Sequence, residues 1–173
     1  MARKSVDKNS PEFLERRVST GRSTMLLIMA FTLVNLIFLM AELGTYFLFS
    51  ASVPYYLTIL CLELEGWDPA GSLVIAALAF SLLILVIYLL CWIFSKRSVG
   101  WTVAAAVLFT LDTVALLLVP VLFYISYGEI IMDILFHILA IVELIQAALA
   151  GSKLRRMAAA APADIRYTDP ENF

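Results

Sequence analysis

Histidine occurs once in this chain, at position 137, and cysteine twice, at 61 and 91. The cysteines form no CxxC pair and fall near opposite ends of the topology set out below. Neither a disulfide nor a metal site is expected of them, and they read as small apolar packing residues. Charge is scarce too: 15% of the 173 residues are Asp, Glu, Lys or Arg, against roughly 25% in an ordinary soluble domain. There is no GxSxG, no HExxH and no Gly-rich phosphate loop. Nor is there a basic and aromatic surface of the kind that takes nucleic acid. The chain is therefore not expected to be an enzyme, to hold a cofactor or resident metal, or to bind nucleic acid.

What fills the space is apolar: 62% of the residues are hydrophobic, gathered into long runs. A helix needs about 20 such residues to cross a bilayer core of about 30 Å. Four windows qualify, at 25–49, 72–94, 101–125 and 130–150. Barrel strands would alternate over about ten residues, so these continuous runs read as helices. The first run is too long and starts too late for a signal peptide, and no small-residue cleavage site follows it. The expected fold is an all-α, polytopic bundle of four transmembrane helices with antiparallel neighbours. A basic segment at 1–24 precedes it and a tail at 151–173 follows it, with 158–173 expected to be mobile.

The twelve Lys and Arg residues are segregated. Arg3, Lys4, Lys8, Arg16, Arg17 and Arg22 precede the first run, and Lys96 and Arg97 separate the second from the third. Lys153, Arg155, Arg156 and Arg166 follow the fourth. The other two connections carry acids only. Positive residues stay on the cytoplasmic side, so both termini are expected in the cytoplasm of a plasma-membrane protein, with loops 50–71 and 126–129 outside.

Local signals mark the ends of the runs. Asp68-Pro69 predicts the N-cap and first turn of the second helix, Gly100 and Gly128 predict tight turns, and Pro120 predicts a kink. The apolar part of SVPYYLTILCLELEG (52–66) is too short to span. Ser52 and Pro54 can start a short helix there. That helix would lie on the outer surface or plug the bundle from outside; otherwise the segment extends the first helix. FTLVNL (31–36) is echoed by FTLDTV (109–114), and FSKR by GSKLRR, a weak sign of a parallel two-hairpin repeat. Together TYFLFSASVPYYL, YLLCWIFSKRSVGW, LFTLDTVALLL and DILFHILAIVELI resemble a family of small four-helix membrane proteins of clostridial and related Gram-positive bacteria. The resemblance covers about residues 22–154. It implies four helices and a bacterial plasma membrane, and brings no mechanism with it.

The candidates for an intramembrane polar path are Asp112, Asp133, His137 and Glu143, in the third and fourth runs. Counted at 1.5 Å per residue, Asp112 is about 18 Å from the inner edge and His137 about 20 Å, on adjacent antiparallel helices. A carboxylate–imidazole pair near mid-depth is expected. Asp133 is one turn from His137 on the same face. Glu143 points elsewhere, together with Gln146. Thr32 and Asn35 sit at comparable depth on the first helix. Glu42, Glu63, Glu65, Asp68 and Glu129 would form an acidic outer mouth. Two readings stay open. In one, these residues line a path for a proton or small ion in a small transporter or channel, working as a homo-oligomer in the lipid bilayer. In the other, they only fix helix packing in a non-catalytic scaffold or accessory subunit. Small-residue faces such as Ala104–Ala106 allow close contact in either.

Overall fold

The computed structural model describes residues 8–123 and 126–160. Among them every regular element is a helix: α1 (Pro11–Met40), α2 (Ser52–Leu64), α3 (Ser72–Phe94), α4 (Val99–Phe123) and α5 (Tyr127–Ala160). Helices α1, α3, α4 and α5 are each long and apolar enough to cross a membrane, and α2 is a shorter apolar helix. This is an all-α bundle of multi-pass membrane type. Its outer surface is as apolar as its core: Leu83, Leu111, Val121 and Leu149 face outward, while Phe109, Leu116 and Leu144 are buried. That pattern suits a lipid solvent, in which packing rather than apolar burial holds helices together.

The second window is reproduced to the residue; the third begins two residues earlier, at Val99, and its expected end at 124–125 lies outside the described residues. The other two differ. α1 starts at Pro11 because Ser10 is its N-cap: its Oγ accepts from the Phe13 amide at 3.3 Å, with Pro11 at the first helical position. From Pro11 to Thr24 the basic segment is thus a helical extension of the first span, while residues 1–7 lie outside the described residues. At the other end α1 stops at Met40 rather than running to 49. Glu42 takes a left-handed φ of 54°. The Glu42 amide bonds to the Leu39 carbonyl and the Leu43 amide to the Phe38 carbonyl, a Schellman stop. α2 ends the same way at Gly66, where glycine makes the stop visible in the sequence. α5 continues through the predicted boundary to Ala160, and Lys153 Nζ donates to Asn9 Oδ1, just ahead of α1. The remainder of the predicted mobile tail, 161–173, lies outside the described residues.

The start of α3 is capped differently from expectation. Its N-cap residue is Gly71, and the carboxylate of Glu65 takes the orphan amides: Oε1 accepts from Leu73 at 3.0 Å and Oε2 from Val74 at 3.4 Å. Asp68 instead closes the preceding turn on the Ala70 amide at 2.9 Å. Two long-range contacts set the bundle's frame. α1 and α5 pack antiparallel so closely at Gly21 that a Cβ there would meet Ala147 Cβ at 2.3 Å. Arg22 reaches across to Ser95 Oγ at 2.9 Å and lies over the Trp92 ring. Cys61 and Cys91 are both free, and Cys91 is buried.

Candidate functional site

The segment between α1 and α2 does not stay at the end of the bundle. From Leu43 it turns back along α1, so that Phe47 meets Asn35 and Ala51 meets Thr32. Ser52, the first residue of α2, then lies against Asp112, near the middle of α4, and His137, in the first third of α5. From this depth α2 returns toward the loop between α2 and α3. It is a re-entrant helix, the plugging arrangement among those the sequence left open; it neither extends α1 nor lies flat.

A helix that begins inside an apolar bundle exposes amides that must find acceptors where there is no water. Here all of them do. The Ala51 amide donates to Thr32 Oγ1 at 2.7 Å, Ser52 to Asp112 Oδ2 at 2.7 Å and Val53 to Asp112 Oδ1 at 2.8 Å. The next residue, Pro54, has no N–H to satisfy. Asp112 therefore serves as the N-cap of α2 from another helix. Both of its oxygens face the positive end of the α2 dipole and accept hydrogen bonds there.

The extended stretch before α2 is held from the other side by Asn35. Its Oδ1 accepts from the Phe47 amide at 2.7 Å, and its Nδ2 donates to the Phe47 carbonyl and to Ser50 Oγ, both at 2.8 Å. Ser50 Oγ in turn donates to the Tyr46 hydroxyl at 3.0 Å. Phe49 has a φ of 69°, a left-handed conformation that costs a bulky residue about 1–2 kcal/mol. Its ring packs on Phe136 with centroids 4.1 Å apart, which helps to hold that turn.

His137 is completely buried and stacks on Phe109, with ring centroids 4.7 Å apart and planes 8° from parallel. Its Nδ1 lies 2.8 Å from the Asp133 carbonyl oxygen, which only accepts, so Nδ1 carries a hydrogen. Its Nε2 lies 3.2 Å from Asp112 Oδ2 and 3.1 Å from Ser52 Oγ. The Nε2–Oδ2 contact is attractive only with a hydrogen between the two atoms. The pair is then either imidazolium with carboxylate or imidazole with carboxylic acid, and in both states its net charge is zero. A neutral buried pair avoids the several kcal/mol of desolvation that an isolated ion would suffer.

Ser52, His137 and Asp112 are the residue types of a hydrolytic triad, but not in its geometry. In a triad the acid and the serine occupy opposite imidazole nitrogens. Here both meet Nε2, and Nδ1 is held by a backbone carbonyl. No group of three His, Cys, Asp or Glu residues among the described residues is placed to hold a metal ion.

The other predicted site residues divide. Asp133 is buried beside His137 as the helix register required, and its Oδ1 has no hydrogen-bond partner. Glu143 is not brought to this centre; it lies toward the chain ends of the bundle, with Oε2 3.6 Å from Arg17 Nη1. Of the acidic mouth, Glu42 and Glu63 are exposed, while Glu65 and Asp68 bind the local amides described above. The Glu129 side chain lies outside the described residues. Thr32 and Asn35 contribute by holding residues 47–51, rather than by partnering Glu143 or Gln146 as their depth had suggested. The sequence reading missed Ser50 and the amides of residues 51–53. Ser52 and Pro54 were legible as a helix start, but not as one seated at mid-depth. No protein-family model, curated protein or solved structure matches this chain.

Proposed function

We propose that this is a plasma-membrane protein with both ends in the cytoplasm, and that it serves as a non-catalytic scaffold or accessory subunit built around its re-entrant helix. The positive-inside rule supports the orientation. Arg16, Arg17, Arg22, Lys96, Arg97 and Lys153 lie at the end of the bundle where α1 begins and α5 finishes, and the loops at the other end carry acids. The choice of the plasma membrane follows what the sequence resemblance to small four-helix proteins of Gram-positive bacteria implies.

One observation carries the functional reading. Both carboxylate oxygens of Asp112 are committed to the α2 amides, and one also to His137. Groups so fully engaged with one another fasten an element in place. They offer a passing solute no free coordination.

A second reading has its own support. Asp133 is a buried acid with one unpartnered oxygen beside the Asp112–His137 pair, next to a half-helix that starts at mid-depth. Intramembrane acids and broken helices of this kind mark proton and ion routes in transporters. In that reading the chain is a small proton- or ion-conducting unit, and a homo-oligomer provides the path.

Purified protein reconstituted into vesicles holding a pH-sensitive dye separates the two. The scaffold reading predicts proton flux no greater than in protein-free vesicles, while Asp112→Asn lowers the detergent melting temperature. Flux that Asp133→Asn abolishes would establish the second reading and remove the first.

A further inference from the structure

A groove of about 280 Å³ lies between α1 and α5 at the end of the bundle where α1 begins and α5 finishes. Phe13, Leu14 and Leu149 give it an apolar lining, and Lys8, Arg17 and Lys153 line it with positive charge. Its height is fixed by Gly151, which packs against Val99, the first residue of α4. Leu149 is on the apolar side of that level and Lys153 just beyond it. The two are one turn apart on α5 and so share a face. Leu149 is 66% exposed, an apolar side chain turned outward immediately below a cation.

We propose that this groove seats an anionic phospholipid, with its phosphate between Lys8, Arg17 and Lys153 and an acyl chain along Leu149. Charge complementarity supports that occupant. No acidic side chain among the described residues lines the groove. The neighbouring acid, Glu143, approaches Arg17 at 3.6 Å and offsets one cation of three. The partner of Lys153 is the neutral Asn9 amide oxygen, which leaves its charge available. Arg17 is also steadied over the Phe13 ring at 5.4 Å. Basic pockets between membrane helices at this level suit an anionic headgroup, each cation adding about fivefold to affinity. The close Gly21–Ala147 contact keeps the two walls together without a ligand.

The test is native mass spectrometry of the full chain in detergent, titrated with phosphatidylglycerol or phosphatidylcholine. Wild type retains phosphatidylglycerol at least about fivefold better. The pair Lys8→Gln and Lys153→Gln, at surface positions, removes most of that preference and leaves phosphatidylcholine retention and the melting temperature unchanged. A control pair on the same side but outside the groove, Arg16→Gln with Arg156→Gln, keeps it. Equal retention of both lipids by wild type overturns the proposal. So does a control pair that loses as much as the groove pair.

Discussion

Asp112 joins three helices through one side chain: it stands on α4, caps α2 and pairs with His137 of α5. Replacing it by Asn keeps the shape but turns an NH2 group toward a donor, so one buried amide of α2 loses its acceptor. An unsatisfied buried donor costs about 1–3 kcal/mol, and the detergent melting temperature of Asp112→Asn is expected to fall by roughly 3–10 °C. His137→Gln removes the neutralising partner of the same carboxylate. A double-mutant cycle of the two substitutions should therefore show a coupling of about 1 kcal/mol or more, measured by the same melts. Strict additivity would mean that the 3.2 Å contact contributes nothing. The pairing was legible in the sequence, because counting residues puts Asp112 and His137 at one height. The role of the pair was not. The groups Asp112 captures are the backbone amides of Ser52 and Val53, and a backbone amide has no letter of its own.

Among the elements, the two helix stops show why one boundary was readable and the other hidden. α2 ends on Gly66, the residue type that adopts a left-handed φ without strain, and α1 ends on Glu42, which does so against its preference. An apolar run with no glycine at its true stop reads as helix straight through, and the re-entrant turn behind it disappears. Glu42→Gly should relieve that strain and, after the added freedom of the unfolded chain, raise stability by about 0.5 kcal/mol, a rise of roughly 1–2 °C in a thermal melt. The α1–α5 contact makes a larger demand. Gly21→Leu forces a side chain into the space of Ala147 and should destabilise the bundle by about 1–3 kcal/mol, again read by thermal melting. Gly21→Ala alone should be milder, and adding Ala147→Gly should restore most of its loss, because the Cβ it meets at 2.3 Å is then gone. Failure of that rescue would show that the helices are not held at this separation.

Among the described residues the molecule is four long apolar helices and a fifth, shorter one, α2, which packs against α1, α3 and α4, meets His137 of α5 at Ser52 and leaves Leu60 and Leu64 exposed. Apolar periodicity made the outer frame legible, since each long run is continuous. It was silent on α2, whose position depends on polar contacts from Thr32, Asn35 and Asp112 on two different helices. FTLVNL and FTLDTV, the two echoing phrases, supply those three residues between them, and both hold the same segment from opposite sides. That α2 begins at mid-depth is the claim on which the site rests. The direct measurement is spin-label depth in a bilayer, by oxygen and nickel accessibility, on a Cys61→Ala/Cys91→Ala background with a label at Val53→Cys or at Leu64→Cys. The two positions are eleven residues apart on α2, and a steeply inserted helix places the label at 53 about 16 Å deeper than the label at 64. Equal depths for the two labels would mean that α2 lies along the surface, and would contradict the re-entrant arrangement.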